Sequence, residues 1–108
     1  MKPQILVVDD DRGMCELLEL GLARRGFQVR WTTEPRKVLE LLQQDFYEAV
    51  VTDLNMPGQD GIELTRQLVG NRSDLPVIVI TAFGSMESAV EAMRAGAYDF
   101  VTKPLEVD

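Results

Sequence analysis

Three carboxylates, a threonine and a lysine stand where apolar segments give way to polar ones. Asp53 follows the run Ala49-Val50-Val51-Thr52 and precedes Leu54-Asn55-Met56-Pro57-Gly58. Asp9 and Asp10 follow Ile5-Leu6-Val7-Val8, Thr81 follows Val77-Ile78-Val79-Ile80, and Lys103 follows Phe100-Val101-Thr102. A buried strand that ends in a carboxylate and breaks into a Pro-Gly loop places that carboxylate at the rim of a sheet. If the strand ends converge, the carboxylates repel one another, and a hard divalent cation relieves the repulsion. An oxygen-only donor set, without histidine or thiolate, selects magnesium, with manganese as the substitute ion. An aspartate carboxylate can itself be a nucleophile and form an acyl phosphate. A lysine ammonium and a threonine hydroxyl then suit the phosphoryl oxygens, because positioning and charge neutralisation carry most of the rate of phosphoryl transfer.

Each motif alone has a plainer explanation. Asp9 to Asp11 would suit the positive end of a helix dipole. Thr81 would be a strand-end residue, Lys103 a solvated charge, and Asn55 to Gly61 a turn. The coincidence of four strand ends is what points to one site.

The elements that must position these groups follow from periodicity. Ile5 to Val8 is a continuous apolar run, as in a strand covered on both faces. Met14, Leu17, Leu18 and Leu22 recur at helical spacing, with Asp11 as the expected N-cap and Gly26 as the stop. Cys15 lies beside that stripe and is expected to be buried or half-buried, with a structural role. Phe27 to Thr32 reads as a strand. Thr33-Glu34-Pro35 resembles a helix start capped by Thr33, and Val38, Leu41 and Leu42 mark the helix. Ala49 to Thr52 is a strand, about Ile62 to Val69 a helix, and Val77 to Ile80 a strand. Met86, Ala89, Val90 and Met93 mark a further helix that stops at Gly96, and Phe100 to Thr102 is a last short strand. The order βαβαβαβαβ predicts an α/β fold with a parallel sheet and helices on both faces. In such sheets ligands bind outside the carboxyl ends of the strands.

With 108 residues the chain makes one domain. Eighteen acidic residues against eleven basic ones give a net charge of -7. That balance argues against direct binding to nucleic acid, which needs a basic patch. One cysteine rules out an intrachain disulfide, and the absence of histidine rules out a phosphohistidine or a histidine-based metal site. No apolar run approaches the roughly 20 residues of a membrane-spanning helix. The start Met1-Lys2-Pro3-Gln4 has no signal-peptide pattern. These features predict a cytoplasmic protein without membrane contact.

Together the motifs resemble the receiver domain of bacterial two-component response regulators. The resemblance covers the whole chain, from Ile5-Leu6-Val7-Val8-Asp9-Asp10 through Thr52-Asp53-Leu54-Asn55-Met56-Pro57 and Ile80-Thr81-Ala82 to Val101-Thr102-Lys103-Pro104. It implies a flavodoxin-like, doubly wound five-stranded parallel sheet of order 2-1-3-4-5. It implies that residues 1–108 form one receiver domain that stops before its fifth helix, since Leu105-Glu106-Val107-Asp108 reads as that helix's entry. Asp53 is then the phosphoacceptor, served by a phosphohistidine on a sensor histidine kinase or phosphotransfer protein. Asp10 would hold magnesium directly, Asp9 partly through water, and Asp53 and the backbone carbonyl of Asn55 would complete the set. Thr81 would bind the phosphoryl group, Ala82 would leave room for it, and Lys103 would pair with it across a cis Lys103–Pro104 bond. Phe100 would be the switch aromatic, whereas Tyr98 is out of register for that role.

The segment from Gly84 to Phe100 is most similar to receivers of NtrC-type activators, which control an ATPase acting on sigma-54 polymerase. That likeness implies transcription regulation through an output domain in cis or a partner protein, with a homodimer as a compatible state. The domain would be no enzyme beyond its own phosphorylation and dephosphorylation. Two other functions are compatible with parts of the pattern. A pseudo-receiver would only bind partners, yet such domains usually lose an acidic, threonine or lysine position that this chain keeps. A magnesium-dependent phosphohydrolase of the haloacid-dehalogenase type would use Asp9 and Asp11, but the chain lacks the expected Thr or Ser after that pair and has no cap domain.

Overall fold

The computed structural model describes residues 2–56, 59–72, 74–81 and 86–102. Five strands form one parallel sheet: β1 (Gln4–Val8), β2 (Gln28–Thr32), β3 (Ala49–Asp53), β4 (Val77–Thr81) and β5 (Asp99–Thr102). Their spatial order is 2-1-3-4-5, as the resemblance implies. The helices α1 (Arg12–Arg24), α2 (Val38–Gln44), α3 (Gly61–Asn71) and α4 (Met86–Arg94) connect them. The register pairs Val8 with Thr52 and Asp53 with Ile80, so the ends of β1, β3 and β4 lie side by side.

Strand alternation divides the core between two faces. Leu6, Val8, Val50 and Val77 pack with Val38 of α2 and Leu64 and Leu68 of α3. Farther along that face, Val79 packs with Ala92, Ala95 and Ala97 at the end of α4. On the opposite face, Ile5, Val7 and Ile80 meet Cys15 and Leu18 of α1. Each fully buried Leu or Val contributes about 1.5–3 kcal/mol. These clusters therefore fix both the strand order and the register that align the strand ends.

Asp11 caps α1, its carboxylate accepting the Gly13 N–H at 2.9 Å and the Met14 N–H at 3.4 Å. Gly26 and Gly96, the expected helix stops, have φ of 93° and 106°, where other residues are strained.

One expectation needs correction. Thr33 does not cap the second helix. Instead Thr32 Oγ1 accepts the Glu34 N–H at 3.0 Å, and Pro35–Lys37 forms a 3-10 turn before α2 begins at Val38. With Thr33 as cap, Pro35 would fall at the second helical position, where it has no N–H to offer. Lys37 Nζ lies 2.7 Å from Glu34 Oε2 and holds that exposed carboxyl below its ordinary pKa.

The residues that mark the last helix fall in α4. Met86, Val90 and Met93 do share one side of the helix, but that side faces solvent: Met86 is 82% and Met93 49% exposed. The sheet-facing side is built from Ala92, with Ala95 and Ala97 just beyond the helix. Small residues there bring α4 close to Val79, which leaves the long side chains on the outside.

Candidate functional site

Three consecutive acids after β1 divide between two tasks. Asp11 is used up as the cap of α1. Asp9 is fully buried, and its Oδ1 accepts the Asp11 N–H at 2.9 Å. Its own N–H continues the sheet by donating to Thr32 O at 3.3 Å. Asp10 is exposed at the turn.

Asp53 ends β3 and is buried. The alternation of β3 puts it on the same face as Val51, as the alternation of β1 puts Asp9 on the face of Val7. Carboxylate oxygens of Asp9, Asp10 and Asp53 all lie within 4.8 Å of one another. Three oxygen donors so close, with no nitrogen or sulfur ligand beside them, fit a hard divalent cation.

Asn55–Met56 and Gln59–Asp60 form a two-residue antiparallel ladder. Asp60 then caps α3 by accepting the Ile62 N–H at 2.8 Å. Gly61 N–H donates to Leu54 O at 2.8 Å, and a Cβ on Gly61 would lie 2.3 Å from Asp53 O. The start of α3 is thus pressed against the backbone of Asp53, which only glycine permits. Thr65 reinforces this turn through a 2.8 Å bond from Oγ1 to Gly61 O.

Thr81 is the last residue of β4 and is fully buried. Phe100 is half-buried against the cluster of Leu54, Ile62, Val79 and Ala92. Val79 pairs with Phe100 across β4 and β5, and Thr81 lies two residues along the same face. Tyr98 is 71% exposed, apart from that cluster. The backbone of Asn55 is described but its side chain is not, and Ala82, Lys103, Pro104 and the bond between the last two lie outside the described residues.

The structure thus brings together the carboxylates of Asp9, Asp10 and Asp53, with Thr81 at the end of the neighbouring strand and Phe100 beside Val79 on the side of the sheet that faces α4. Two contributors escape a reading of the residues as motifs. Gly61 could have been suspected from the pair Asp60-Gly61 at a helix start. Cys15 gave no signal beyond its place beside an apolar stripe, yet its thiol donates to Asp9 O at 3.3 Å.

Comparison with known proteins agrees with this geometry. The response regulator MprA of Mycolicibacterium vanbaalenii is 41% identical over 108 residues, covering 100% of this chain and 47% of its own length. The C4-dicarboxylate transport transcriptional regulatory protein DctD of Pseudomonas aeruginosa is 43% identical over 105 residues, covering 97% of this chain and 23% of its own. The chain therefore spans less than half the length of either relative. A crystal structure of a response regulator protein from Burkholderia pseudomallei, with a phosphorylated aspartic acid, calcium ion and citrate, superposes with a TM-score of 0.90 at 30% identity, covering 98% of this chain and 62% of the other. The family model described as the response regulator receiver domain matches residues 5–108. The chain belongs to the response regulator receiver domain family.

Proposed function

We propose that Asp53 is the phosphoacceptor of this receiver, charged by a phosphohistidine on a sensor histidine kinase or phosphotransfer protein. The observation that carries this reading is the cluster itself: a buried carboxylate at the end of the central strand, with the carboxylate oxygens of Asp9 and Asp10 within 4.8 Å. The related Burkholderia protein with a phosphorylated aspartic acid and a calcium ion supports it.

Asp53 attacks phosphorus in line through one carboxylate oxygen. The phosphorus–nitrogen bond breaks, and the imidazole leaves with the electron pair. Asp9, Asp10, Asp53 and the carbonyl of Asn55 would hold magnesium, or manganese in its place. That ion would supply positive charge to the phosphoryl oxygens as they approach three carboxylates. Thr81 donates its hydroxyl to one of those oxygens; by the resemblance to the receiver family, Lys103 would pair with them and Ala82 would leave room. The surroundings of Asp9 suit the task, because the Asp11 N–H fixes the orientation of its carboxylate.

Receiver domains are signalling modules, and any turnover here is confined to the domain's own phosphorylation and dephosphorylation. A phosphoryl group adds about -1.5 to -2 charge to a hydroxyl side chain, and an acyl phosphate brings a comparable load. Thr81 moves toward it and Phe100 follows, since both lie on the face of β4 and β5 that packs on α4. The exposed Met86, Val90 and Met93 make α4 and β5 the surface that an output domain or a second receiver reads. The change is a population shift of a few kcal/mol between two states. Similarity to DctD, a transcriptional regulatory protein, supports a transcription output, which we read as NtrC-type and cytoplasmic. No helix among the described residues is long and apolar enough to cross a membrane.

The test is to incubate the chain with a small-molecule phosphodonor and magnesium and to weigh the intact protein. The wild type gains the mass of one phosphoryl group and Asp53→Asn gains none. An equal gain in both would refute the assignment.

A further inference from the structure

We infer that Cys15 is a positioning residue for the cation site: its thiol fixes the peptide that joins the two acids Asp9 and Asp10. The inference rests on the reading of Asp9, Asp10 and Asp53 as a cation site.

Cys15 lies one turn into α1, fully buried, and a helical side chain leans toward the helix N-terminus. That lean brings Sγ within 3.3 Å of Asp9 O, to which it donates. Asp9 O belongs to the Asp9–Asp10 peptide plane, and rotation of that plane swings Asp10 relative to Asp9. The other groups of Asp9 are set by different elements: its N–H by Thr32 O on β2, and its Oδ1 by the Asp11 N–H at the helix start. The thiol holds the remaining carbonyl from inside α1.

Asp10 is exposed at its turn, so the peptide plane before it governs where its carboxylate stands. A site that needs oxygens from Asp9, Asp10 and Asp53 within a few ångströms loses affinity when one of them is free to turn away. Partners that orient ligands from behind are a general determinant of metal affinity. Cys15 is not itself a ligand. Its sulfur meets a backbone carbonyl, and the donor set of the cluster is oxygen alone.

The experiment titrates the whole chain with magnesium chloride by calorimetry and measures thermal unfolding in parallel. Cys15→Val puts an apolar side chain of similar size in its place but removes the donor, and Cys15→Ser keeps a donor on a smaller side chain. The expected result is weaker magnesium affinity in Cys15→Val, by at most about fivefold, the ratio that an ordinary neutral hydrogen bond supplies and that a thiol, a weaker donor, does not exceed. Cys15→Ser stays close to the wild-type affinity, even if its melting temperature falls. Should Cys15→Val not fold, Cys15→Ala carries the same expectation. Wild-type affinity in the donor-free variant overturns the inference. So does equal weakening in the valine and serine variants, which would trace the effect to packing. A wild type that binds no magnesium at all removes the cation-site reading and the inference with it.

Discussion

Helices α3 and α4 lie on the same face of the sheet and are held to it differently. α3 buries Ile62, Leu64, Thr65 and Leu68, and its first residue is wedged against the backbone of Asp53. α4 buries only Ala92 among its described residues and turns Met86 and Met93 outward. On the proposed function, the difference matches two tasks. A phosphoacceptor must be held still, because catalysis by positioning tolerates little displacement. A surface that reports the state of the site must be able to shift at low cost, and segments with few buried contacts are the ones that do.

Substitutions can break or sharpen this contrast. The largest effect is expected from Gly61→Ala, whose Cβ meets the Asp53 backbone at 2.3 Å. A clash with main chain cannot be relieved by a rotamer change, and urea unfolding should show a loss of about 3–4 kcal/mol. Near-wild-type stability would mean that α3 is not wedged. Leu68→Ala, at the centre of the cluster that α3 shares with the sheet, should cost about 3 kcal/mol through lost burial and the cavity left behind. Tyr47 belongs to the same cluster and has a different weakness. It is fully buried, and among the described residues its hydroxyl has no hydrogen-bond partner. Tyr47→Phe should therefore raise stability by about 1 kcal/mol, and a loss of that size would reveal a partner for the hydroxyl. The smallest effect belongs to Met93→Ala on α4, within about 0.5 kcal/mol. A cost there comparable to that of Leu68→Ala would abolish the distinction between the two helices.

Much of this was legible in the sequence because it follows from local pattern. The apolar runs of β1, β3 and β4 and the spacing of Met14, Leu18 and Leu22 in α1 are set by burial, which leaves a periodic trace, whereas Leu17 of the same stripe is 47% exposed. Asp9, Asp10 and Asp53 were legible because a polar residue directly after a buried strand has few places to go. Other features left no such trace. Thr33 caps nothing because a proline removed a donor two residues on, and neither the 3-10 turn nor α2 has a side-chain cap. The methionines of α4 have the spacing of a buried stripe, but periodicity reports that a side is apolar, not which side meets the sheet. That was decided by Ala92, Ala95 and Ala97, whose small size lets the helix approach. The wedge at Gly61 and the thiol bond of Cys15 are contacts between main chain and distant residues, and no periodic pattern encodes them.

The central claim is that Asp53 carries the phosphoryl group as an acyl phosphate. Borohydride reduction after treatment with a phosphodonor and magnesium, followed by peptide mass mapping, tests it most directly. An acyl phosphate on aspartate is reduced to homoserine, so the account predicts homoserine at position 53 and nowhere else. Unreduced Asp53 in a protein that has gained a phosphoryl group, or homoserine at Asp9 or Asp10, would contradict it.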